Sequence, residues 1–407
     1  MKKTLKTGVI GLGARGSQML ETIVSCEESD VVALCDLYED RREKNRKMVE
    51  EKTGKSPVLY ENYKDLIADP NVEAVFIISS WDMHTRMAVD SMKAGKITAL
   101  EVAGAYDIED CWQLVRTYEE TGTPIMLLEN CCFDRFELLT SSMAKAGKFG
   151  KIMYCHGAYA HELRDEVLGG HVNRHYRLEN YMKRNCENYP THELGPIAKV
   201  LGINRGNQII SLVSVASRAA GMEDYIAQNA EKYPDLVGKK FRQGDIVNTI
   251  ITCADGSTIS LRLDTTLPRH YAREFTLHGT RGLYEQNTNM VYLAGEPEDF
   301  NTAKHYRANI GNAERFEADY LPRAWKEMTE EMLRAGHGGM DSVEFAVFCD
   351  CLRSGKPMPI DVYDAAAWMA ITTISESSVA AGGLPQAIPD FTSGAWTRRP
   401  LTDVVEI

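Results

Sequence analysis

The chain has no apolar run approaching the roughly 18 consecutive residues that a membrane-spanning helix needs, which excludes a helical membrane protein. It has no excess of basic residues: 46 Lys and Arg stand against 58 Asp and Glu, a formal net charge of -12. Nucleic-acid binders displace counterions with clustered cations, so no nucleic-acid partner is expected, and the acidity is read as solubility. The ten cysteines contain no CxxC pair. Neither a zinc site nor a disulfide framework can be read from their spacing, and reduced thiols in a cytoplasmic protein are expected. No export signal is expected either, since the apolar segment after the basic start, Thr7 to Gly13, is short and closes on glycines. No internal repeat and no low-complexity tract interrupts the pattern.

What is present is a chain of 407 residues, 44% hydrophobic and 26% charged, long enough for two domains. From Lys6 to about Leu128 short apolar runs alternate with amphipathic stretches. Strands are expected at Thr7–Gly11, Val31–Cys35, Ala74–Ser79, Lys96–Leu100 and Pro124–Leu128, with helices over Ser17–Cys26, Glu39–Lys52, His84–Ala94 and Ile108–Thr121. That alternation predicts an α/β Rossmann domain, a doubly wound parallel sheet, over residues 1–128. Residues 129–407 read as a second α/β domain with a largely antiparallel open sheet. It opens with a helix at Arg135–Ala146 and a His- and Tyr-rich stretch, His156 to His192, with few strand signals. Strands are expected at Ile209–Val215, Ile246–Cys253, Thr258–Asp264, Glu274–Gly279 and Met290–Leu293. Two closing helices, Asp341–Ser354 and Val362–Ala381, read as strongly amphipathic, and at least one is expected to pack back against the sheet or the first domain.

Gly11-Leu12-Gly13-Ala14-Arg15-Gly16 follows the first strand and opens the first helix, a turn whose backbone N–H groups can approach a pyrophosphate. Asp36 ends the next strand 20 residues after Gly16, where a carboxylate accepts from a ribose hydroxyl and repels a 2'-phosphate. NAD is therefore favoured over NADP, with Arg15, Arg41 and Arg42 as the residues that speak for a 2'-phosphate. Ser79-Ser80-Trp81-Asp82-Met83-His84 and Glu101-Val102 also lie at carboxyl ends of strands, where open sheets bind ligands. The plainer reading makes Trp81 a packing residue and His84 a member of a helix N-terminus.

With those residues in place, the sequence resembles the glucose-fructose oxidoreductase and inositol dehydrogenase superfamily over essentially its full length. Glu101-Val102-Ala103 stands where those dehydrogenases typically show Glu-Lys-Pro, so the lysine that assists their proton transfer is missing. More narrowly, the chain resembles the NAD-dependent glycoside hydrolase family 109, whose known activity is on α-N-acetylgalactosaminides. The match is carried by Leu128-Glu129-Asn130, Gly157-Ala158-Tyr159, Asn188-Tyr189-Pro190-Thr191-His192, Leu194-Gly195-Pro196, Pro268-Arg269-His270-Tyr271 and Gly336-His337-Gly338-Gly339-Met340-Asp341. The resemblance implies cofactor contacts at Ala14, Arg15, Asp36, Trp81 to His84, Glu101, Val102 and Asn130, and substrate contacts at Tyr159, Arg177, Tyr189, Pro190, Thr191, His192 and Tyr271. The family usually has glycine after Tyr-Pro-Thr-His. Here it is Glu193, which is expected to add a carboxylate beside the site. By analogy with the superfamily, subunits can pair through exposed sheet as a homo-oligomer.

Glycoside hydrolysis by the common route needs two carboxylates flanking the bond, and NAD-dependent enzymes depart from it. The resemblance implies oxidation at C3 of the sugar, loss of the C2 proton, elimination at C1, addition of water and re-reduction. Tyr189 and His192 are three apart and can share the proton transfers. Imidazole titrates near neutral pH, so His192 is the better base. The plainer reading makes Thr191 the N-cap of the next helix. His171 and His175 could chelate a metal, with His156 and His161 nearby; the plainer reading is a sugar-site loop or solvated histidines, and since no carboxylate or cysteine completes the set, no metal is expected. Gly336 to Gly339 is a permissive turn that brings backbone near a ligand or merely joins two helices. A glycosidase acting on a small-molecule glycoside is weighed against a net NAD-dependent sugar dehydrogenase forming a 3-keto sugar, and against a non-catalytic sensor.

Overall fold

The computed structural model describes residues 4–296, 302–334 and 336–406. By internal contacts the chain forms two compact units, Met1–Phe133 with Ala324–Ala366 and Asp134–Arg323 with Ala367–Ile407.

The first unit holds six strands: β1 (Leu5–Ile10), β2 (Ser29–Cys35), β3 (Val58–Tyr60), β4 (Ala74–Ile77), β5 (Ile97–Glu101) and β6 (Ile125–Leu128). All pair in parallel, in the order β3-β2-β1-β4-β5-β6, so the order reverses between β1 and β4. All four β4 residues are buried, as expected where helices cover both faces of a parallel sheet. Local chemistry sets the helix ends. Asp107 accepts the Asp110 N–H at the start of helix Ile108–Thr121, and Gly122 takes the left-handed conformation at its end (φ 64°). β3 and the helix Tyr63–Ala68 were not foreseen, being too short for any periodicity to register. Late in the chain the helix Met340–Ser354 joins this unit, with Phe345 and Phe348 packed on Phe76 of β4 at 5.5 and 5.3 Å between ring centres. The expected return of a C-terminal helix is met here.

The second unit is built on an eight-stranded sheet of β7 (Ile152–Ala160), β8 (Ile209–Ala216), β9 (Ile246–Cys253), β10 (Thr258–Asp264), β11 (Thr276–Gly279), β12 (Gly282–Glu285), β13 (Met290–Leu293) and β14 (Gln386–Ala387). The order is β13-β12-β11-β7-β10-β9-β8-β14, antiparallel throughout except for β7 beside β10. β9 alternates buried and exposed residues, the signature of a sheet with one covered face.

Two expectations need correction. The His- and Tyr-rich stretch does not begin as a loop, because its first residues complete β7, a nine-residue strand in the middle of the sheet. Its buried positions are Cys155, Gly157, Ala158, Tyr159 and Ala160, mostly small side chains with weak intrinsic strand preference, and neighbouring strands decide their conformation. The helix Val362–Ala380 is not amphipathic in its first half: Ala365 to Ile371 are all buried, so it is a core helix. No helix among the described residues is long and apolar enough to cross a membrane.

Candidate functional site

In the first unit the glycine turn leaves β1 and enters the helix Ala14–Val24. The three glycines have different reasons to be there. Gly11 has φ 93°, and a Cβ on it would lie 2.3 Å from the Ile78 carbonyl oxygen; a Cβ on Gly16 would lie 2.0 Å from the Gly11 carbonyl oxygen. Both are demanded by backbone packing. A Cβ on Gly13 would meet nothing closer than the Arg41 guanidinium at 3.6 Å, so the protein itself does not require glycine there. The helix has Gly13 at its N-cap, no side-chain cap and no acidic residue in its first turn. Its N–H groups and partial positive charge are left for an anion, as a bound pyrophosphate would use them.

Asp36 stands beside this turn, buried, with Oδ2 accepting the Leu12 N–H at 2.8 Å and Oδ1 accepting the Tyr38 N–H at 3.0 Å. Arg42 donates to the carbonyl of Asp36 at 2.6 Å, and Arg41 lies 3.8 Å from its carboxylate. Trp81 and His84 open the helix Trp81–Lys93 and are both buried, while Asp82 is exposed and Met83 is half-buried. His84 Nε2 bonds the Ser79 carbonyl at 3.0 Å, and burial lowers its imidazole pKa. What this loop turns outward is thus its uncapped helix N-terminus more than the two rings.

Arg15, Glu101 and Asn130 come together around a residue that sequence reasoning quoted without giving it a role. Arg15 Nε donates to Glu101 Oε2 at 2.8 Å, and its two terminal nitrogens donate to Asp341 at 2.5 and 3.2 Å. Asn130 Nδ2 reaches the same carboxylate at 2.8 Å, and His337 Nδ1 lies 3.0 Å from it. Burial works against the Asp341 charge, but His337 and Arg15 outweigh it and hold the carboxyl well below the usual range. The glycine turn Gly336–Gly339 makes this possible. His337, Gly338 and Gly339 are left-handed (φ 51°, 66° and 99°), and a Cβ on Gly336 would lie 2.2 Å from Asp341 Oδ2. The signal was an acidic residue two positions after a glycine turn. Val102 is buried beside Glu101, its N–H donating to Glu101 Oε1 at 3.0 Å, so an apolar side chain stands where the related dehydrogenases carry lysine.

In the second unit most of the expected substrate residues converge. The Tyr159 ring lies 4.4 Å from Tyr189 and 5.6 Å from His192, and Tyr189 and His192 are 4.8 Å apart at 88°. The Arg177 guanidinium lies over the Tyr189 ring at 5.1 Å. Burial disfavours its charge, yet the rings of Tyr159 and Tyr176 and the Glu166 carboxylate keep it protonated. The band extends through His161, 6.0 Å from Tyr159, to Tyr271, 5.1 Å further on and half exposed. His161, read from sequence as a metal candidate or part of a sugar-site loop, belongs to this aromatic group. Its place two residues after Tyr159, where β7 ends, was the available signal. His156 instead bonds the Ser260 carbonyl and Glu274, and His175 stacks on Tyr176. The His171 side chain lies outside the described residues.

The helix Thr191–Val200 corrects one detail. Its N-cap is Pro190, and the buried Thr191 hydroxyl makes no capping bond. Tyr189 therefore precedes the helix, and the rings of Tyr189 and His192 meet across its first turn. Glu193, expected to add a carboxylate beside the site, lies against the Tyr159 backbone with its side chain 1% exposed and next to Glu187.

Comparison with known proteins supplies the context. Residues 5–128 match the family model described as oxidoreductase family, NAD-binding Rossmann fold, and residues 133–398 match glycosyl hydrolase 109, C-terminal domain. The first match makes the N-terminal part a nicotinamide-cofactor domain. An α-N-acetylgalactosaminidase of Bacteroides fragilis is 37% identical over 97% of this chain and 93% of its own length, and one of Tannerella forsythia is 33% identical over 97% and 88%. Among solved structures, a levoglucosan dehydrogenase in complex with NADH and levoglucosan superposes with a TM-score of 0.70 at 17% identity, covering 95% of this chain and all of the other. An Agrobacterium radiobacter oxidoreductase in complex with NAD+, L-tartaric acid and magnesium gives 0.67 at 15%, covering 96% and 99%. At such identities the likeness is one of fold.

Proposed function

Because the chain belongs to glycosyl hydrolase family 109, we propose that it is an NAD-dependent glycosidase that cleaves α-N-acetylgalactosaminides or closely related N-acetylhexosaminides without net oxidation. The observation that carries this reading is the Tyr189 and His192 ring pair, 4.8 Å apart inside an aromatic shell with Arg177. It stands in a chain whose Val102 offers no proton where dehydrogenases place lysine.

When bound, NAD+ would accept hydride from C3 of the sugar and return it at the end of the cycle, and the ketone formed in between acidifies the C2–H. Tyr189 and His192 share the two proton transfers this chemistry requires, one at the C3 hydroxyl and one at C2. Arg177 holds sugar hydroxyl or amide oxygens through its planar set of donors, and Tyr159 and Tyr271 offer faces and hydroxyls to the ring. Loss of the C1 substituent and addition of water complete the cleavage. Glu187 and Glu193 are buried at 0% and 1% exposure and cannot flank a glycosidic bond, which speaks against the two-carboxylate route for them.

For the cofactor, Gly13 and the uncapped helix behind it suit a pyrophosphate, and Asp36 suits an unphosphorylated ribose, which supports NAD over NADP. Arg42 is committed to the Asp36 carbonyl, which weakens the case for a 2'-phosphate. All ten cysteines are free thiols, which supports a reducing, cytoplasmic setting.

The test is to incubate purified protein, without added cofactor, with aryl α-N-acetylgalactosaminides in deuterated water. Aryl release with deuterium at C2 of the product is expected. Accumulation of NADH with free sugars and no bond cleavage would replace the glycosidase by a sugar dehydrogenase, and cofactor binding with no turnover would leave a sensor.

A further inference from the structure

Glu193 replaces the glycine of the family motif, and its side chain points into the interior. It meets Glu187, and each of the two carboxyls acts on the other's titration. Neither Glu187 carboxyl oxygen nor Glu193 Oε1 has a hydrogen-bond donor among the described residues, whereas Glu193 Oε2 accepts the Arg262 N–H at 3.0 Å. Glu193 also lies against the backbone of Tyr159, and Glu187 against that of Tyr189 and Leu263. The pair therefore sits where the helix Thr191–Val200, the segment before it, β7 and β10 meet. Tyr159 and Leu263 are register partners in the parallel pairing of those two strands.

Among the described residues no ion pair neutralises the two carboxyls. Arg262 turns its guanidinium to Glu274, Arg269 binds Asp264 and Glu274, Arg177 Nε lies 3.3 Å from Glu166, and Arg184 binds Glu376. His192, next in sequence, has its ring in the aromatic band. Two carboxylates in contact, out of water and without a cation, cannot both carry charge. One proton between them converts repulsion into a charge-assisted hydrogen bond.

We propose that Glu187 and Glu193 hold at least one proton between them and form a positioning pair that fixes Tyr159 and Tyr189 in the aromatic band. Burial pushes both carboxyls up, Glu187 to about 8 and Glu193 well above the usual range. Glutamates in the unfolded chain titrate near pH ~4.3. The folded state thus holds the proton more tightly than the unfolded one. The pair's stabilising share is complete below pH ~4, and it is lost progressively as pH rises from there through about 8.

The experiment measures melting temperature and, with the aryl glycoside, kcat and KM from pH 6 to 9.5 for wild type, E187Q, E193Q and E187A. In E187Q the amide can donate to Glu193 without a titrating proton. The expectation is a wild-type melting temperature that already falls from pH 6 toward about 8, a flatter profile for E187Q over that range, and a kcat loss of tenfold or more for E187A, with KM changing less, that E187Q largely restores. Parallel melting profiles for wild type and both glutamine variants, or an E187A variant as active as wild type, would overturn the proposal. The kinetic arm rests on the glycosidase reading and the melting arm does not. If no glycoside is cleaved by any variant, the pH profiles alone decide the carboxyl pair.

Discussion

Arg15 and Asp341, far apart in sequence, form a two-pronged ion pair at 2.5 and 3.2 Å, with the Asp341 side chain fully buried and that of Arg15 25% exposed. Asp341 also receives Asn130, so one carboxylate holds together residues expected at the cofactor site. Replacing Asp341 by Ala leaves Arg15 and Glu101 without their organiser. A stability loss of roughly 3 kcal/mol is expected, as for one broken buried pair, together with at least tenfold weaker NAD retention. Thermal melting and cofactor content after gel filtration measure the two effects. Wild-type melting and retention from an Asp341→Ala protein would show that the clamp has no such role.

The same carboxyl fixes the sign of an acid effect. Its folded pKa is depressed, so its contribution is present above the unfolded value near pH ~3.9 and disappears as the solution becomes more acid than that. Melting temperatures of wild type and D341N should differ by a constant amount from pH 6 to 8 and converge in strong acid. A gap that closes already near pH 7 would contradict the assignment.

The three turn glycines separate folding from binding. Gly11→Ala and Gly16→Ala drive a methyl group into backbone at 2.3 and 2.0 Å and should lower melting temperature sharply. Gly13→Ala has room within the protein, so it should fold normally and lose NAD affinity. Calorimetric titration with NAD beside a melting curve distinguishes them. Unchanged affinity in Gly13→Ala would argue against a pyrophosphate at this turn.

His192→Asn keeps the side-chain size but removes a base. Under the proposed mechanism kcat falls by roughly 10²-fold or more and C2 deuterium exchange falls with it. Melting temperature should change little, because the ring is only part-buried. Exchange at the wild-type rate in this variant would remove His192 from the C2 proton transfer.

Gly157→Ala tests the packing beneath the aromatic band. A Cβ there would lie 2.8 Å from the Glu193 carbonyl oxygen and 3.0 Å from its Cβ, so strand β7 and the helix Thr191–Val200 would be forced apart. A loss of about 1–3 kcal/mol and reduced kcat are expected, since Tyr159 and His192 ride on those two elements. Full stability in the variant would mean that the helix yields at no cost.

Periodicity and turn chemistry revealed many of the longer elements. The helix Ile108–Thr121 and the strands β9, β10 and β13 have the expected ends, because each carries an uninterrupted local signal bounded by Asp, Gly, Asn or Ser. β7 stayed hidden because its Cys, Gly and Ala residues owe their conformation to β10 and β11. The aromatic band was half legible. The Tyr189 to His192 spacing pointed to it, whereas His161 entered only through the fold.

The sequence by itself determined a glycine turn after a strand with an acidic partner 20 residues on, and hence a dinucleotide domain, because that recognition is local to one strand–turn–helix unit. Only the tertiary structure decided what Arg15 and Glu193 do. Arg15 is taken up by Glu101 and Asp341, and Glu193 turns inward to Glu187. The charge of a side chain is written in the sequence, but its partner, its distance from water and therefore its protonation are set by whatever distant residues the fold brings beside it.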